Sequence, residues 1–277
     1  MSAFEFFVMK LDSSSNTLYI RISQKEFIFA RYDHLKPQTL NYVVYKLQPN
    51  ISLNANIHEA IRRVTLTKGD FSYVRVLVEG PATLVPLNDF DEDDAESFYF
   101  FNLPEKRKWR RVCYDTLPHL NAVLLFSIDK DVYHTLEESF QNLFVQSAET
   151  PLLLHFAQCS PVSLRQGRMF ANLTDGRMSV MGFRKGKLGL YNSYVLHHEN
   201  DAAYYLLRTV KSWDFNIETD ELFLKGETSL VEKLQRALSP YVFHVAIIDA
   251  VEEFNAHVAT LQNTLSFDLI ILLLRAF

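Results

Sequence analysis

Three short stretches carry residues that could grip a phosphate. "RMFANLTDGRMSVMGF", residues 168 to 183, sets Asp175 and Gly176 at the turn between two strand-like runs. "TLYIRISQKEFIFARYD", residues 17 to 33, sets Ser23 to Glu26 at the same point of an earlier pair. "LFLKGETSL", residues 222 to 230, follows a strand-like run with Gly226 and opens a helix at Thr228. Such turns bind phosphate when bare backbone N–H groups reach its oxygens and a carboxylate holds hydrated magnesium. Asp-Gly between alternating apolar runs is equally the signal of an ordinary hairpin, because both central residues of a type I′ turn take positive φ. Thr228 and Ser229 are equally candidate helix caps.

Other chemistry is weaker. "EKRKWRR", residues 105 to 111, gathers Lys106, Arg107, Lys108, Arg110 and Arg111 around Trp109. It suits an acidic partner, or a nucleic acid stacked on the indole. It suits equally an exposed connection with its aromatic anchored in the core. "DEDDAE", residues 91 to 96, reads as a solvated helix start favoured by the helix dipole. His197, His198 and Glu199 lack a spaced third ligand, and Asp201 is the neighbouring cap candidate. "DSSSN", residues 12 to 16, is a turn with no activating base nearby in sequence. Cys113 and Cys159 lack metal spacing and read as reduced, buried thiols of a cytoplasmic protein, and no metal site is expected.

These residues need elements to place them. Strands are expected near 18–23, 26–33 and 39–48, then a helix with Ile57, Ala60, Ile61 and Val64 on one face, then the strand "YVRVLVEG". The second half repeats this order at 168–174, 177–185 and 188–197, followed by a helix carrying Ala203, Leu206, Leu207 and Val210 and the strand "DELFLKGE". "VLVEG" at 76–80 and "LFLKG" at 222–226 share one offset of 146 residues. The first half adds a helix near 88–101, strands near 111–116 and 121–128, and a helix over 130–147 bearing Val132, Leu136, Phe140 and Leu143. The second adds a helix with Leu230, Leu234 and Leu238 on one face and the strand "YVFHVAII". The start "MSAFEFFVMKLD" reads as a strand, and the ending "SFDLIILLLRAF" as an apolar tail that buries itself or docks on a second molecule. "QCSPVSLRQG" marks a boundary, giving one lobe over 1–160 and a second over 161–277 that includes the tail.

The totals fit. A chain of 277 residues can fill two cores. With 48% hydrophobic residues it is not chiefly disordered. Its charge of -5 gives no general pull toward nucleic acid or acidic lipid. The apolar run "LIILLL" is far short of the ~20 residues of a membrane-spanning helix.

Two successive three-strand meanders with crossover helices resemble the duplicated ribonuclease-H-like lobes of the actin-like ATPases. With the "LYIRIS" opening and the "FDLIILLLRAF" ending, the whole chain looks like a bacterial family of uncharacterised function with that fold, found in Bacteroides relatives. The resemblance implies an α/β fold with mixed sheets and two lobes. It also implies where ATP with Mg would sit in the interlobe cleft: an Asp and a Gly in each hairpin, and a Gly-Gly turn under adenosine. Here "SQKE" has no glycine, Asp175 and Gly176 lack the intervening residue, and Glu227 replaces the second glycine. Only 8 glycines occur where ~7% is usual. A ribonuclease-H-like nuclease would need carboxylates on its first strand, and neither "LYIRIS" nor "MFANL" has one. The expectation is a non-catalytic interaction or scaffold protein without cofactor, bound to a protein partner or a second copy of itself, with no role for membrane or nucleic acid. The alternative is weak ATP binding or hydrolysis through Asp175, Gly176, Gly226 and Thr228.

Overall fold

Alternation of apolar residues and short polar turns builds two similar sheets. The computed structural model describes residues 16–33, 39–103, 107–198, 200–261 and 264–275. The N-terminal strand expected over 1–12, nearly all of the 12–16 turn, and Lys106, Glu199, Ala276 and Phe277 lie outside these residues. By compactness the chain forms two units, Met1–Leu152 with His257–Phe277, and Leu153–Ala256.

In the first unit β1 (Thr17–Ile22), β2 (Glu26–Tyr32) and β3 (Leu40–Lys46) form an antiparallel meander. Helix α1 (Leu53–Arg63) then carries the chain over to β4 (Tyr73–Val78), which lies parallel to β1 with Leu18 opposite Val74. Ser52 starts the helix by accepting the Ala55 N–H at 3.1 Å, a cap worth ~1 kcal/mol. Ile57 and Ala60 form its buried face. An insertion follows: β5 (Ala82–Pro86), α2 (Ala95–Asn102), β6 (Arg110–Leu117) and β7 (Ala122–Asp129). Its three strands make a separate sheet in the order β5-β7-β6, around Val85, Tyr99, Val123 and Leu125.

The apolar spacing over 130–147 predicts one helix, but α3 (Lys130–Ser139) stops there and Leu143–Ser147 becomes strand β8, parallel to β4. Phe140 turns extended and Asn142 takes φ 51°, so the helix cannot continue. Val145 then lies beside Val76 in a fully paired ladder, and tertiary pairing overrides the local period. The first sheet is thus β3-β2-β1-β4-β8. Helix α4 (Glu149–Gln158) follows, and the division between units falls inside it, earlier than the boundary the polar 158–167 segment suggests.

The second unit repeats the plan. Strands β9 (Arg168–Thr174), β10 (Arg177–Arg184) and β11 (Lys187–Val195) form the meander. Helix α5 (Asp201–Ser212) leads to β12 (Glu221–Lys225), parallel to β9, and α6 (Thr228–Leu238) leads to β13 (His244–Ile247). The order β11-β10-β9-β12-β13 copies the first sheet. Met169, Ala171 and Leu173 of β9 pack with Leu206, Val210, Val231 and Leu234 in one core. After the short α7 (Ala250–Glu253), helix α8 (Phe267–Leu274) is buried from Phe267 to Leu273. The tail therefore buries itself, but it groups with the first unit and not with the second, as its composition alone could not indicate.

Candidate functional site

Ser23 organises the β1–β2 turn. Its Oγ accepts the N–H groups of Lys25 at 3.2 Å and Glu26 at 3.1 Å and donates to the Glu26 carbonyl at 2.9 Å. The residue is buried. Two N–H groups of the turn, those of Lys25 and Glu26, thus already have an acceptor within it.

Asp175 and Gly176 take φ 47° and 73°, between paired Thr174 and Arg177. Positive φ at both central residues over a two-residue loop is type I′ hairpin geometry. A Cβ on Gly176 would meet nothing closer than the Leu196 carbonyl at 3.8 Å, so φ and not crowding demands glycine there.

Gly226 is glycine for the opposite reason. A Cβ would stand 3.0 Å from both the Cβ and the carbonyl oxygen of Leu173 and 3.1 Å from Val231 Cγ1. That side of the turn is filled by the unit's own core, which is close packed. Thr228 and Ser229, expected as caps, are already helical. Glu227 takes the extended N-cap conformation, φ -61° and ψ 132°, without a side-chain cap bond, and the Ser229 hydroxyl donates to Glu227 Oε1 at 2.6 Å.

Where a two-metal nuclease would carry a carboxylate, the central strand β1 carries Arg21. Its Nε lies 2.8 Å from Asp268 Oδ2 on α8 and its Nη2 lies 2.9 Å from Glu79 Oε2 just past β4. All three are nearly excluded from solvent. Burial by itself would lower the Arg21 pKa, but Asp268 and Glu79 outweigh it and hold the guanidinium above its usual range. The triad is a structural ion pair network that presents no free metal-binding carboxylate.

Among the described residues, Asp115 of β6 is the most perturbed carboxylate. Burial lifts its pKa to about 7, against the opposing pull of hydrogen bonds from Thr150 and Ser147 and the charge of Arg75. Its Oδ2 accepts the Ser147 N–H at 2.9 Å and the Thr150 hydroxyl at the start of α4. A strand of the insertion thereby tethers the end of β8 and the helix start, where a negative or dipolar acceptor is favoured.

The basic run is partly internal. Arg110 Nε donates to Ser127 Oγ and its Nη2 to the Ser127 carbonyl, both at 2.9 Å. Arg107 lies over Phe100 at 4.8 Å and Arg111 over Tyr133 at 3.8 Å, both at cation–π distance. Trp109 is not anchored in the core: it is 53% exposed, with Lys108 over its ring, and Phe101 is 88% exposed. His197 and His198 point their backbone N–H groups at Asp201 Oδ2, at 2.7 and 2.9 Å, which makes this a turn-and-helix-start motif. Those bonds hold the Asp201 carboxyl below its usual pKa.

A family model described as a protein of unknown function, DUF3822, matches residues 9–245. The chain belongs to the DUF3822 family. No curated protein matches it. Among solved structures, a Bacteroides thetaiotaomicron protein with actin-like ATPase fold and unknown function is similar at 28% identity and TM-score 0.82, over 94% of this chain and 96% of that one. The PilM–PilN type IV pilus biogenesis complex is similar in fold at 12% identity and TM-score 0.54, over 86% of this chain and 89% of that one. The DUF3822 chain therefore has the actin-like ATPase fold, with mixed α/β sheets.

One side-chain constellation of the DUF3822 chain escapes the sequence. His155 of α4, Cys159 just beyond it and Glu253 of α7 bring an imidazole nitrogen, a sulfur and a carboxylate oxygen within 4.8 Å of one another. His155 and Cys159 are four apart, so a helix stacks them on one face. That spacing is the one legible signal, since the third member lies 94 residues from Cys159. Cys113 has no such company, and burial pushes its thiol pKa up to about 11. Among the described residues no helix is long and apolar enough to cross a membrane.

Proposed function

We propose that this chain is a non-catalytic interaction protein carried on an actin-like fold that has given up its nucleotide site. The observation that carries this reading is the Ser23 hydroxyl, which accepts the N–H groups of Lys25 and Glu26 in the first of the three turns. Two others support it. The Asp175–Gly176 pair is occupied with hairpin geometry, and the space against Gly226 holds Leu173 and Val231. In a working site these turns have to leave bare backbone for a triphosphate and a carboxylate for its magnesium.

The partner-facing surface in this proposal is Arg107, Lys108, Trp109 and Arg111. Cations laid on aromatic rings, with the Trp109 ring exposed among them, suit a protein partner with acidic and apolar groups. Arg110 belongs to this set by sequence, yet its guanidinium bonds to Ser127 support a bracing role. Two cysteines not joined in a disulfide accord with a cytoplasmic setting.

Isothermal titration calorimetry with Mg-ATP tests the proposal. The expected outcome is no measurable heat of binding at ligand concentrations up to the millimolar range. Micromolar binding that disappears in Asp175→Ala would establish the alternative, a surviving nucleotide site at Asp175, Gly176, Gly226 and Thr228.

A further inference from the structure

The three donors His155, Cys159 and Glu253 differ chemically, and their spacing is close to that of ligands around one ion. His155 Nε2 lies 3.2 Å from Glu253 Oε1 and 3.8 Å from Cys159 Sγ, and Cys159 Sγ lies 3.8 Å from Glu253 Oε1. Bond lengths to zinc of ~2.3 Å from sulfur and ~2.0 to 2.1 Å from nitrogen and oxygen fix the edges of a tetrahedral site. Those edges are roughly 3.3 Å between nitrogen and oxygen and roughly 3.6 Å from sulfur to either. The observed triangle deviates from this by only a few tenths of an ångström, which side-chain rotation alone absorbs. We propose that His155, Cys159 and Glu253 form a mononuclear site for Zn2+ that joins α4 to α7 within the second unit.

Two other accounts fit less well. A nucleophilic cysteine assisted by histidine needs the thiol on one ring nitrogen and the orienting carboxylate on the other. Here both meet Nε2. An imidazolium–carboxylate pair would explain the 3.2 Å contact, but it gives no reason for a sulfur on the same nitrogen.

The surroundings suit a metal ligand. His155 is buried, and its ring is held between Phe156 at 5.3 Å and Phe254 at 5.6 Å between centroids, so its nitrogen is aimed before any ion arrives. Glu253 is about one-third exposed, which gives the ion an entry path and leaves the fourth vertex to water. A thiolate and a carboxylate neutralise a divalent cation, so the filled site has no net charge to desolvate. Arg168 donates to the Cys159 carbonyl, and its Nε is held by Glu221 at 2.7 Å. The mixed nitrogen, sulfur and oxygen set selects zinc over magnesium or calcium, which require oxygen donors. Binding releases the Cys159 thiol proton to solvent and requires the Nε2 lone pair, with the ring proton on Nδ1, so affinity falls in acid.

The test uses the full chain, stripped of metal. Zn2+ is titrated against a chromophoric chelator, and Co2+ is added separately as a spectroscopic probe. One equivalent of Zn2+ is expected per chain, and the Co2+ form should show thiolate-to-metal charge-transfer absorption. Cys159→Ser should abolish that absorption. Cys159→Ser and Glu253→Gln should each weaken Zn2+ by more than the ~10- to 100-fold that loss of an outer-shell partner costs. Cys113→Ser should change neither reading. Both ligand variants alter partly exposed side chains, and matched circular dichroism confirms their fold. Wild-type affinity no tighter than that of Cys159→Ser, or a Co2+ spectrum without the thiolate band, would overturn the site.

Discussion

At the scale of single residues, buried charge decides what this fold can do. Arg21 sits in β1 with two carboxylates as close partners, while Asp115 holds its proton to about pH 7. The unfolded chain releases that proton near 3.8. Between about pH 4 and about pH 7 the folded state binds more protons than the unfolded one, so its stability falls as pH rises through that window. The pKa difference corresponds to a penalty on the order of 4 kcal/mol above pH 7. Asp115→Asn keeps an oxygen for the Ser147 N–H and removes the titration. Urea melts should show the variant matching wild type near pH 4 and exceeding it increasingly toward pH 8, and parallel pH curves for the two proteins would refute this account. The hairpin role of Asp175–Gly176 is legible in sequence because φ preference is local. The role of Asp115 is not, since it depends on Ser147 and Thr150, more than thirty residues away.

At the scale of elements, legibility follows the range of the forces involved. Meander strands and α1, α5 and α6 announce themselves through the period of their apolar residues. Strand β8 does not: Phe140 and Leu143 keep helical spacing, and only the ladder with β4 makes Leu143–Ser147 extended. Strand β5, five residues before a pair of short turns, leaves similarly little local trace. Helix α8 reads as apolar, but its Asp268 gains meaning only opposite Arg21. Removing one partner of a buried pair strands the other charge, at a cost of about 3 to 5 kcal/mol. Asp268→Ala should therefore lower the unfolding free energy by roughly that amount in denaturant titration, while replacing the whole triad, Arg21→Leu with Glu79→Leu and Asp268→Leu, should recover much of it. A loss below about 1 kcal/mol in Asp268→Ala would mean that Glu79 alone suffices for Arg21.

At the scale of the molecule, one five-stranded order occurs twice, with an insertion in the first copy alone. The repeat is legible as a shared offset, because the two sheets keep one strand order. A ligand present at 100 times its Kd stabilises the folded state by ~2.7 kcal/mol, enough to move the melting temperature by several degrees. Saturating Mg-ATP should leave the thermal transition of this chain where it is, and a reproducible rise would reopen the ATPase alternative.

Arg21 and Asp268 are separated by 247 positions along the chain. At a synthesis rate of about 5 to 20 residues per second, the arginine is made roughly 12 to 50 s before this carboxylate. The first unit includes that closing helix, so its core receives its last element only after the whole of the second unit has been synthesised.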